Sequence, residues 1–103
     1  MDVEVDPRIA ELNDQFRKTS GAMVTRGVME LYAPQQILKL VRQYDDFNQD
    51  NDPYGEHDLG MFEYEGHKLL WKIDYYDPEF KYDKDPLDPE CNRVLTIMLA
   101  DDY

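Results

Sequence analysis

The sequence predicts an α+β fold in which two helices pack on one face of a mostly antiparallel four-stranded sheet, in the order α-β-α-β-β-β. Three observations support this prediction. The first half of the chain contains two amphipathic helical patterns, the second half contains a hairpin pattern with an aromatic strand, and the last residues are aliphatic and β-branched. With 103 residues and no Gly/Ser linker, the chain is predicted to form a single acidic domain over residues 1–103.

Two helices and one strand are predicted in the first half of the chain. Asp6-Pro7 is typical of an N-cap followed by proline at the first helical position. An apolar stripe at helical spacing carries this helix to about Lys18, and it consists of Ile9, Leu12 and Phe16. Ala33-Pro34 opens the second helix, which is expected to end near Asp45–Phe47. Its apolar stripe consists of Ile37, Leu40, Val41 and Tyr44. Between the helices, the β-branched segment Met23–Val28 predicts a strand.

Three further strands are predicted in the second half. Leu59–Tyr64 and His67–Tyr76 flank Glu65-Gly66, a pair that suits a hairpin turn because glycine adopts positive φ without strain. One face of the second of these strands is expected to pack against the helices, and it consists of Leu69, Trp71, Ile73 and Tyr75. The proline-rich acidic segment Asp77–Pro89 predicts an exposed connection. Arg93–Ala100 predicts a last strand beside Leu69–Tyr75, with a short helix as its alternative.

Charge is distributed unevenly along the chain. The formal net charge is −12, with six acids and six bases in residues 1–44 and seventeen acids against five bases in residues 45–103. Such a negative field repels nucleic acids and anionic membranes and attracts basic surfaces. The sequence therefore predicts a basic protein surface as partner, with no direct nucleic-acid binding and no membrane association. The alternative to a dedicated binding function is an acidic surface that is only well solvated. The sequence does not predict the oligomeric state.

The cellular setting is predicted from the cysteine content and from the start of the chain. The single cysteine, Cys91, cannot form an internal disulfide, which favours a reducing compartment. The segment Met1–Asp6 lacks the basic start and apolar run of a signal peptide, and no apolar stretch has the length that a bilayer requires. We therefore expect a soluble cytoplasmic protein.

Four segments carry a resemblance to a known family. They are DNDPYGEHD at residues 50–58, WKIDYYD at 71–77, RVLTIMLA at 93–100 and IAELND at 9–14. On these motifs, which extend over nearly the whole chain, the protein resembles a bacterial family catalogued only as a domain of unknown function. Glu79–Pro86 is the least similar segment, because the family is less acidic there. The resemblance supports the fold prediction and implies occurrence on plasmids and other mobile elements. It implies no reaction, cofactor or catalytic residue.

The Asp-rich segment before the hairpin contains the beginning of a calcium-binding pattern. The first, third, fifth and seventh places of an EF-hand-like loop hold Asp46, Asn48, Asp50 and Asp52. The sixth place, however, holds Asn51 instead of glycine, and the twelfth holds His57 instead of a bidentate glutamate. We therefore expect an Asx-rich turn whose side chains bind their own backbone. The sequence predicts no metal ion and no cofactor.

A small hydrolytic or metal-binding enzyme is the alternative function. Its candidate residues are Glu56, His57, Asp58, His67 and Asp74. One histidine precedes a strand of the predicted hairpin and the other opens the partner strand, which would make them neighbours across the sheet. No metalloenzyme signature matches this spacing, and a histidine bonded to a carboxylate or carbonyl is the commoner arrangement. Cys91 follows an acidic segment, which disfavours a nucleophilic thiolate.

The favoured function is a non-catalytic acidic binding protein. Carboxylates spaced along a rigid scaffold imitate the phosphates of a DNA duplex, so a cleft lined by Lys and Arg would accept them and release its counterions. We predict a DNA mimic that inhibits a nucleic-acid-handling enzyme, such as a restriction enzyme or a CRISPR effector complex. The predicted partner-binding residues are Asp50, Asp52, Asp74, Asp77, Glu79, Asp83, Asp85 and Asp88, with Glu90, Asp101 and Asp102 as further members of the acidic pool.

Overall fold

The computed structural model describes residues 6–103 and confirms the α+β prediction. Helix α1 spans Pro7–Thr19, β1 Met23–Val24, α2 Arg26–Met29, α3 Pro34–Gln43, β2 Leu59–Tyr64, β3 His67–Tyr76 and β4 Asn92–Leu99, and a 3-10 turn follows at Ala100–Asp102. The strands form one sheet in the order β1-β4-β3-β2. Within residues 6–103, no helix combines the length and the apolar character needed to cross a bilayer.

The sheet is mixed but mostly antiparallel. β3 pairs antiparallel with both β2 and β4, whereas the two-residue β1 pairs parallel with β4 through Met23 opposite Thr96. The predicted hairpin bounds are confirmed. Glu65 and Gly66 have φ values of 49° and 83°, which is the backbone that a two-residue hairpin turn requires. The last strand lies beside β3, as predicted.

Two predicted boundaries are wrong. The predicted strand Met23–Val28 continues only to Val24, and α2 replaces its second half. The helical turn places Val28 in the core, where it is 1% exposed, so tertiary packing overrides the β-preference of this short segment. Helix α3 ends at Gln43, before the predicted end near Asp45–Phe47, because Tyr44 already adopts an extended conformation.

The core lies between the helices and one face of the sheet. It consists of Val28, Ala33, Ile37, Val41, Leu69, Trp71, Ile73, Leu95 and Ile97. Leu69, Trp71 and Ile73 belong to the face of β3 that was predicted to meet the helices. Tyr75 packs against the same core at its margin. On the opposite face, Leu70 is also buried, beside Met98 of β4.

The strand register gives the sheet two distinct ends. Leu59 is opposite Lys72 and Tyr76 is opposite Asn92, so the start of β2, the end of β3 and the start of β4 meet at one end. The long connections before β2 and between β3 and β4 adjoin this end. The hairpin turn and the 3-10 turn adjoin the other end, since Leu69 is paired with Leu99.

Candidate functional site

The acidic residues of the second half concentrate at one end of the sheet. We define the acidic end as residues 50–58 and 72–93, which contain eleven acids and four bases, a formal charge of −7 out of −12. Backbone hydrogen bonds connect its segments, because Ile73 N donates to Asp58 O at 2.8 Å and Lys84 N to Tyr75 O at 3.3 Å. It includes the predicted partner-binding residues Asp50, Asp52, Asp74, Asp77, Glu79, Asp83, Asp85 and Asp88. The 3-10 turn, with Asp101 and Asp102, lies at the opposite end of the sheet.

The carboxylates of the acidic end differ in what they contact. Three pair with lysine: Asp74 with Lys72 at 2.6 Å, Glu79 with Lys81 at 3.5 Å and Asp88 with Lys84 at 3.5 Å. Four others are exposed and form no ion pair with another residue of the 6–103 range. They are Asp50, Asp83, Asp85 and Glu90. The unpaired carboxylates are therefore the ones available to a basic partner.

The loop before β2 is an Asx-rich turn, as predicted. The side chain of Asn48 accepts from the amides of Asp50 and Asn51 at 2.8 and 3.0 Å. The side chain of Asp52 accepts from the amides of Glu56 and His57 at 3.2 and 3.3 Å and is only 6% exposed. Asp52 therefore organises the loop from inside, and little of its side chain is open to solvent. In the described part of the chain, no three metal-binding side chains lie together.

His57 lies between two carboxylates at the base of this loop. Its Nδ1 is 2.9 Å from Asp14 Oδ1, and its Nε2 is 3.7 Å from Asp52 Oδ2. The ring stacks on Phe47 with centroids 3.8 Å apart, and the backbone has a positive φ of 54°. A hollow of about 310 Å³ opens beside the ring. Through its contact with Asp14, His57 attaches the loop before β2 to α1.

Asn13 of α1 joins three segments in the interior. It is 0% exposed, and its Nδ2 donates to Glu56 O at 2.9 Å and to the Tyr75 hydroxyl at 2.8 Å. Its Oδ1 accepts from Arg93 Nε at 2.7 Å, and Arg93 also donates to Pro86 O at 2.7 Å. We call this set the Asn13 junction. It connects three segments into one unit: the loop before β2, the end of β3 and the connection between β3 and β4. We call this last segment, residues 77–91, the acidic connection.

Arg17 is buried one helical turn after Asn13. Its guanidinium donates to Val41 O at 3.0 Å, to Tyr44 O at 2.9 Å and to Asp14 Oδ1 at 3.1 Å. The same group lies over the Trp71 ring, 4.8 Å from its centroid. The carbonyls that end an α-helix lack partners within the helix, and cations stabilise that terminus. Arg17 therefore caps α3 from inside the protein.

Burial changes the acidity of three groups around the Asn13 junction. Desolvation, reinforced by neighbouring carboxylates, raises the pKa of Glu56 and the pKa of Asp58 above their ordinary values of 4.5 and 3.8. Desolvation also raises the pKa of the Tyr75 phenol. Tyr75 therefore stays protonated at neutral pH, and its hydroxyl donates a hydrogen bond to Glu56 Oε1 at 3.2 Å.

Among the residues predicted for a catalytic or metal-binding site, the structure separates His67 from the other four, which all lie at the acidic end: Glu56, His57, Asp58 and Asp74. His67 pairs with Tyr64 beside the hairpin turn, whereas His57 precedes β2 at the acidic end. The prediction that the two histidines are neighbours is wrong, because the antiparallel register places the start of β2 and the start of β3 at opposite ends. Glu56 is bonded to Tyr75 and Asp74 to Lys72. Desolvation raises the pKa of Asp58, and the neighbouring charges of Asp52 and Asp74 add to this effect.

The two buried polar residues of α1, Asn13 and Arg17, were not predicted from the sequence. The stripe of this helix was predicted as Ile9, Leu12 and Phe16, but Leu12 is 40% exposed while Asn13 and Arg17 are buried. Asn13 and Arg17 are four residues apart and continue the helical row that begins at Ile9. That spacing was the signal in the sequence from which the burial of Asn13 and Arg17 could have been predicted. Polar residues in such a row are assigned to solvent when hydrophobicity alone defines the stripe.

Comparison with known proteins assigns a family but no activity. A family model described as protein of unknown function (DUF3768) matches residues 24–102. No curated protein and no solved structure matches the chain. The matched range contains the whole acidic end, whereas α1, with Asn13 and Arg17, lies outside it. The predicted resemblance to a family of unknown function is thereby confirmed.

Proposed function

The chain belongs to the DUF3768 family of proteins of unknown function, and we propose that it is a non-catalytic binding protein whose acidic end docks onto a basic protein surface. We propose further that this surface is the DNA-binding cleft of a nucleic-acid-handling enzyme, such as a restriction enzyme or a CRISPR effector complex. The chain would then act as a DNA mimic and inhibitor. The observation that carries this proposal is the formal charge of −7 at one end of the sheet.

The unpaired carboxylates supply the recognition chemistry. A cleft lined by Lys and Arg holds condensed anions or DNA phosphates, and an incoming set of carboxylates replaces them. Asp50, Asp83, Asp85 and Glu90 are exposed and without an ion pair to another described residue. Their charges are therefore not offset locally, which favours long-range attraction of a basic partner.

The acidic connection is held in one shape before it meets a partner. Asp77 N donates to Tyr82 O at 2.8 Å, and Tyr76 forms an antiparallel bridge with Asp83. The amide of Cys91 donates to Asp88 O at 3.0 Å, and the Arg93 side chain holds Pro86 O. A preorganised set of charges loses little conformational entropy on binding. This rigidity favours a docking role over that of a solvated tail.

The enzyme alternative receives less support from the geometry. His57 contacts Asp14 and Asp52, and its ring is stacked on Phe47, so three contacts fix it in a structural role. Catalysis by general acid or base requires the group to reach a substrate proton. A His57→Ala variant tests this alternative: we expect a loss of stability, with no hydrolytic activity to lose.

Binding to a host enzyme tests the proposed function. The immobilised chain is loaded with host lysate at about 50 mM salt and eluted with a salt gradient, and each retained DNA-handling enzyme is then assayed for binding and cleavage of its DNA. We expect the free chain to compete with DNA and to block cleavage. The apparent affinity should fall steeply with salt concentration, because counterions are exchanged on binding.

Two matched triple variants locate the binding surface. The acidic-end variant combines Asp50→Asn, Asp83→Asn and Glu90→Gln, and the hairpin-end variant combines Glu63→Gln, Glu65→Gln and Asp101→Asn. All six positions are exposed, and each variant removes three negative charges. We expect the first variant to bind roughly tenfold or more weakly with a flatter salt dependence, and the second to bind within about twofold of the parent. Equal effects of both variants would refute the proposal. So would the absence of any retained enzyme for which the chain competes with DNA.

A further inference from the structure

One face of the sheet carries no helix. Each of the three α-helices packs on the inner face, the one that presents Leu69, Trp71 and Ile73. Side chains alternate between the two faces along a strand, and residues opposite each other on neighbouring strands share a face. We define the outer face as Lys68, Leu70, Lys72, Asp74 and Tyr76 of β3, together with the residues that the register places beside them on the other strands.

A row of apolar side chains crosses the middle of the outer face. Met61 of β2 is opposite Leu70 of β3, and Leu70 is opposite Met98 of β4. Leu70 and Met98 are only 2% and 6% exposed although both lie outside the core cluster, whereas Met61 is 55% exposed. Met23 of β1 lies on the same face and is 66% exposed. A continuous apolar row that ends in exposed methionines is typical of a surface that binds another protein.

The outer face is balanced in charge, unlike the molecule as a whole. Its charged residues are two acids and two bases, namely Glu63, Lys68, Lys72 and Asp74, in a chain with a formal charge of −12. Glu63 is opposite Lys68, and Lys72 pairs with Asp74 at 2.6 Å. A balanced face offers a basic partner no net attraction. It is complementary to itself, because a second copy brings two acids to these two lysines.

We infer that the outer face is the interface of a homodimer, in which the sheets of two copies pack face to face about a twofold axis. Such an axis brings the same face of both copies together, so the apolar row of one copy meets the outer face of the other. Sheets packed in this way lie about 10 Å apart, and methionine side chains adapt to the contacts between them. The inference goes beyond the proposed function, because it requires no basic partner.

The size of the outer face sets the strength of this dimer. Three long strands about 4.8 Å apart, with eight residues at about 3.3 Å each, outline roughly 400 Å². A standard protein interface buries about 800 Å² on each partner, so this one belongs with the weak and reversible interfaces. We therefore expect a dissociation constant of about 0.1 mM at about 150 mM NaCl, where charge repulsion between the copies is screened beyond about 8 Å.

Sedimentation equilibrium of the full chain, from about 10 μM to about 1 mM in 150 mM NaCl, measures the association. A reductant is present because Cys91 is a free thiol. Met61→Glu places a charge in the apolar row, and Met29→Glu on α2 is the matched control, since the two methionines are 55% and 54% exposed. We expect the parent to dimerise, Met61→Glu to dimerise about tenfold or more weakly, and Met29→Glu to stay within about twofold of the parent.

Amide chemical shifts at the two ends of this concentration range locate the interface. Residues of the outer face, Leu70 and Met98 among them, should shift with concentration, whereas those of α1 and α3 should not. A chain that stays monomeric up to about 1 mM would overturn the inference. Equal weakening by the two methionine variants, or shifts confined to the helices, would overturn it as well.

Salt distinguishes this interface from docking at the acidic end. Raising NaCl from about 10 mM to about 150 mM should strengthen the dimer several-fold, because it screens the repulsion between two acidic copies. The same change should weaken binding to a DNA-handling enzyme. A dimer that weakens as salt rises would overturn the balanced interface and leave the proposed function in place. A dimer that behaves as expected, in a chain that no enzyme binds, would support the interface while the proposed function fails.

Discussion

Among single residues, Asn13 has three interior hydrogen bonds to lose. It is fully buried, and its amide bonds a backbone carbonyl, a phenol and a guanidinium. Asn13→Ala would leave those three groups in the interior without this partner, so we expect a loss of about 2–4 kcal/mol in the free energy of unfolding. Urea denaturation followed by the fluorescence of the single tryptophan, Trp71, measures this. The exposed Gln15→Ala on the same helix is the control and should stay within about 0.5 kcal/mol; similar values for both variants would contradict the junction.

Asp58 gives a pH-dependent prediction. Desolvation and the charges of Asp52 and Asp74 raise its pKa in the folded protein above the ordinary 3.8. A raised carboxyl pKa means that the folded protein favours the protonated side chain over the ionised one. The stability that protonated Asp58 contributes is therefore present below pH 3.8 and is lost as the pH rises through the folded pKa. Asp58→Asn removes the ionisation and should raise the urea midpoint at pH 7.

The gain from Asp58→Asn should disappear near pH 3, where the parent side chain is protonated as well. The measurement is the urea midpoint at both pH values. Asp101→Asn, in the exposed 3-10 turn, is the matched control and should change the midpoint little at either pH. A gain that is the same at pH 3 and pH 7 would mean that side-chain shape, and not charge, is responsible.

The interior roles of single polar residues were the least predictable part of the site. Asn13 and Arg17 meet partners that are distant in sequence: Asn13 bonds Arg93 across 80 positions, and Arg17 bonds the Val41 carbonyl across 24. Hydrophobic periodicity reports only whether a helix has an apolar face. It does not report which polar side chain meets a buried carbonyl, because that depends on how the elements pack.

At the scale of elements, Gly60 of β2 makes a close approach that a side chain would prevent. A Cβ at this position would lie 2.7 Å from Tyr44 Cε1 and would also collide with the indole of Trp71. Both rings are packed in or against the core, so neither can yield easily. We expect Gly60→Ala to cost about 1–3 kcal/mol in the free energy of unfolding.

Gly21→Ala is the matched control for Gly60→Ala. A Cβ at Gly21 would meet nothing within 4 Å, so the free energy of unfolding should change by less than about 0.5 kcal/mol. Thermal or urea unfolding of both variants tests the comparison. A tolerated Gly60→Ala, with an unchanged Trp71 fluorescence spectrum, would show that β2 is less tightly packed on Trp71 than the structure indicates.

The elements that were predicted correctly have local signals. The hairpin bounds Leu59–Tyr64 and His67–Tyr76 follow from alternation around the Glu65-Gly66 turn, all within 18 residues. The segment Met23–Val28 has no comparable local signal. Its division into β1 and α2 depends on β4, which supplies the strand partner for Met23 and Val24 and lies more than 70 residues away. Pairings of this length are decided by tertiary packing and not by propensity.

At the scale of the whole molecule, the sequence predicted the charge imbalance but not its placement. Composition assigns the excess of acids to residues 45–103. Only the strand register shows that residues 50–58 and 72–93 meet at one end, while Asp101 and Asp102 lie at the other. The placement follows from antiparallel pairing, which returns the chain to the same end of the sheet every second strand.

This placement predicts how salt affects stability. Eleven acids against four bases at one end repel one another more strongly in the compact protein than in the unfolded chain. Raising NaCl from about 10 mM to about 150 mM shortens the screening length from about 30 Å to about 8 Å. We therefore expect Tm to rise by roughly 4–8 °C, which corresponds to about 1 kcal/mol for a protein of this size.

The two triple variants show whether the repulsion comes from the acidic end. Asp50→Asn, Asp83→Asn and Glu90→Gln should raise Tm at low salt and reduce its dependence on NaCl, because they remove exposed charges that form no ion pair with another residue of the 6–103 range. Glu63→Gln, Glu65→Gln and Asp101→Asn remove the same charge at the hairpin end, where Glu63 stands opposite Lys68. These changes should raise Tm less, since a favourable cross-strand pair is lost with them. Equal salt dependence in both variants would mean that the negative charge acts through its total and not through its concentration at one end of the sheet.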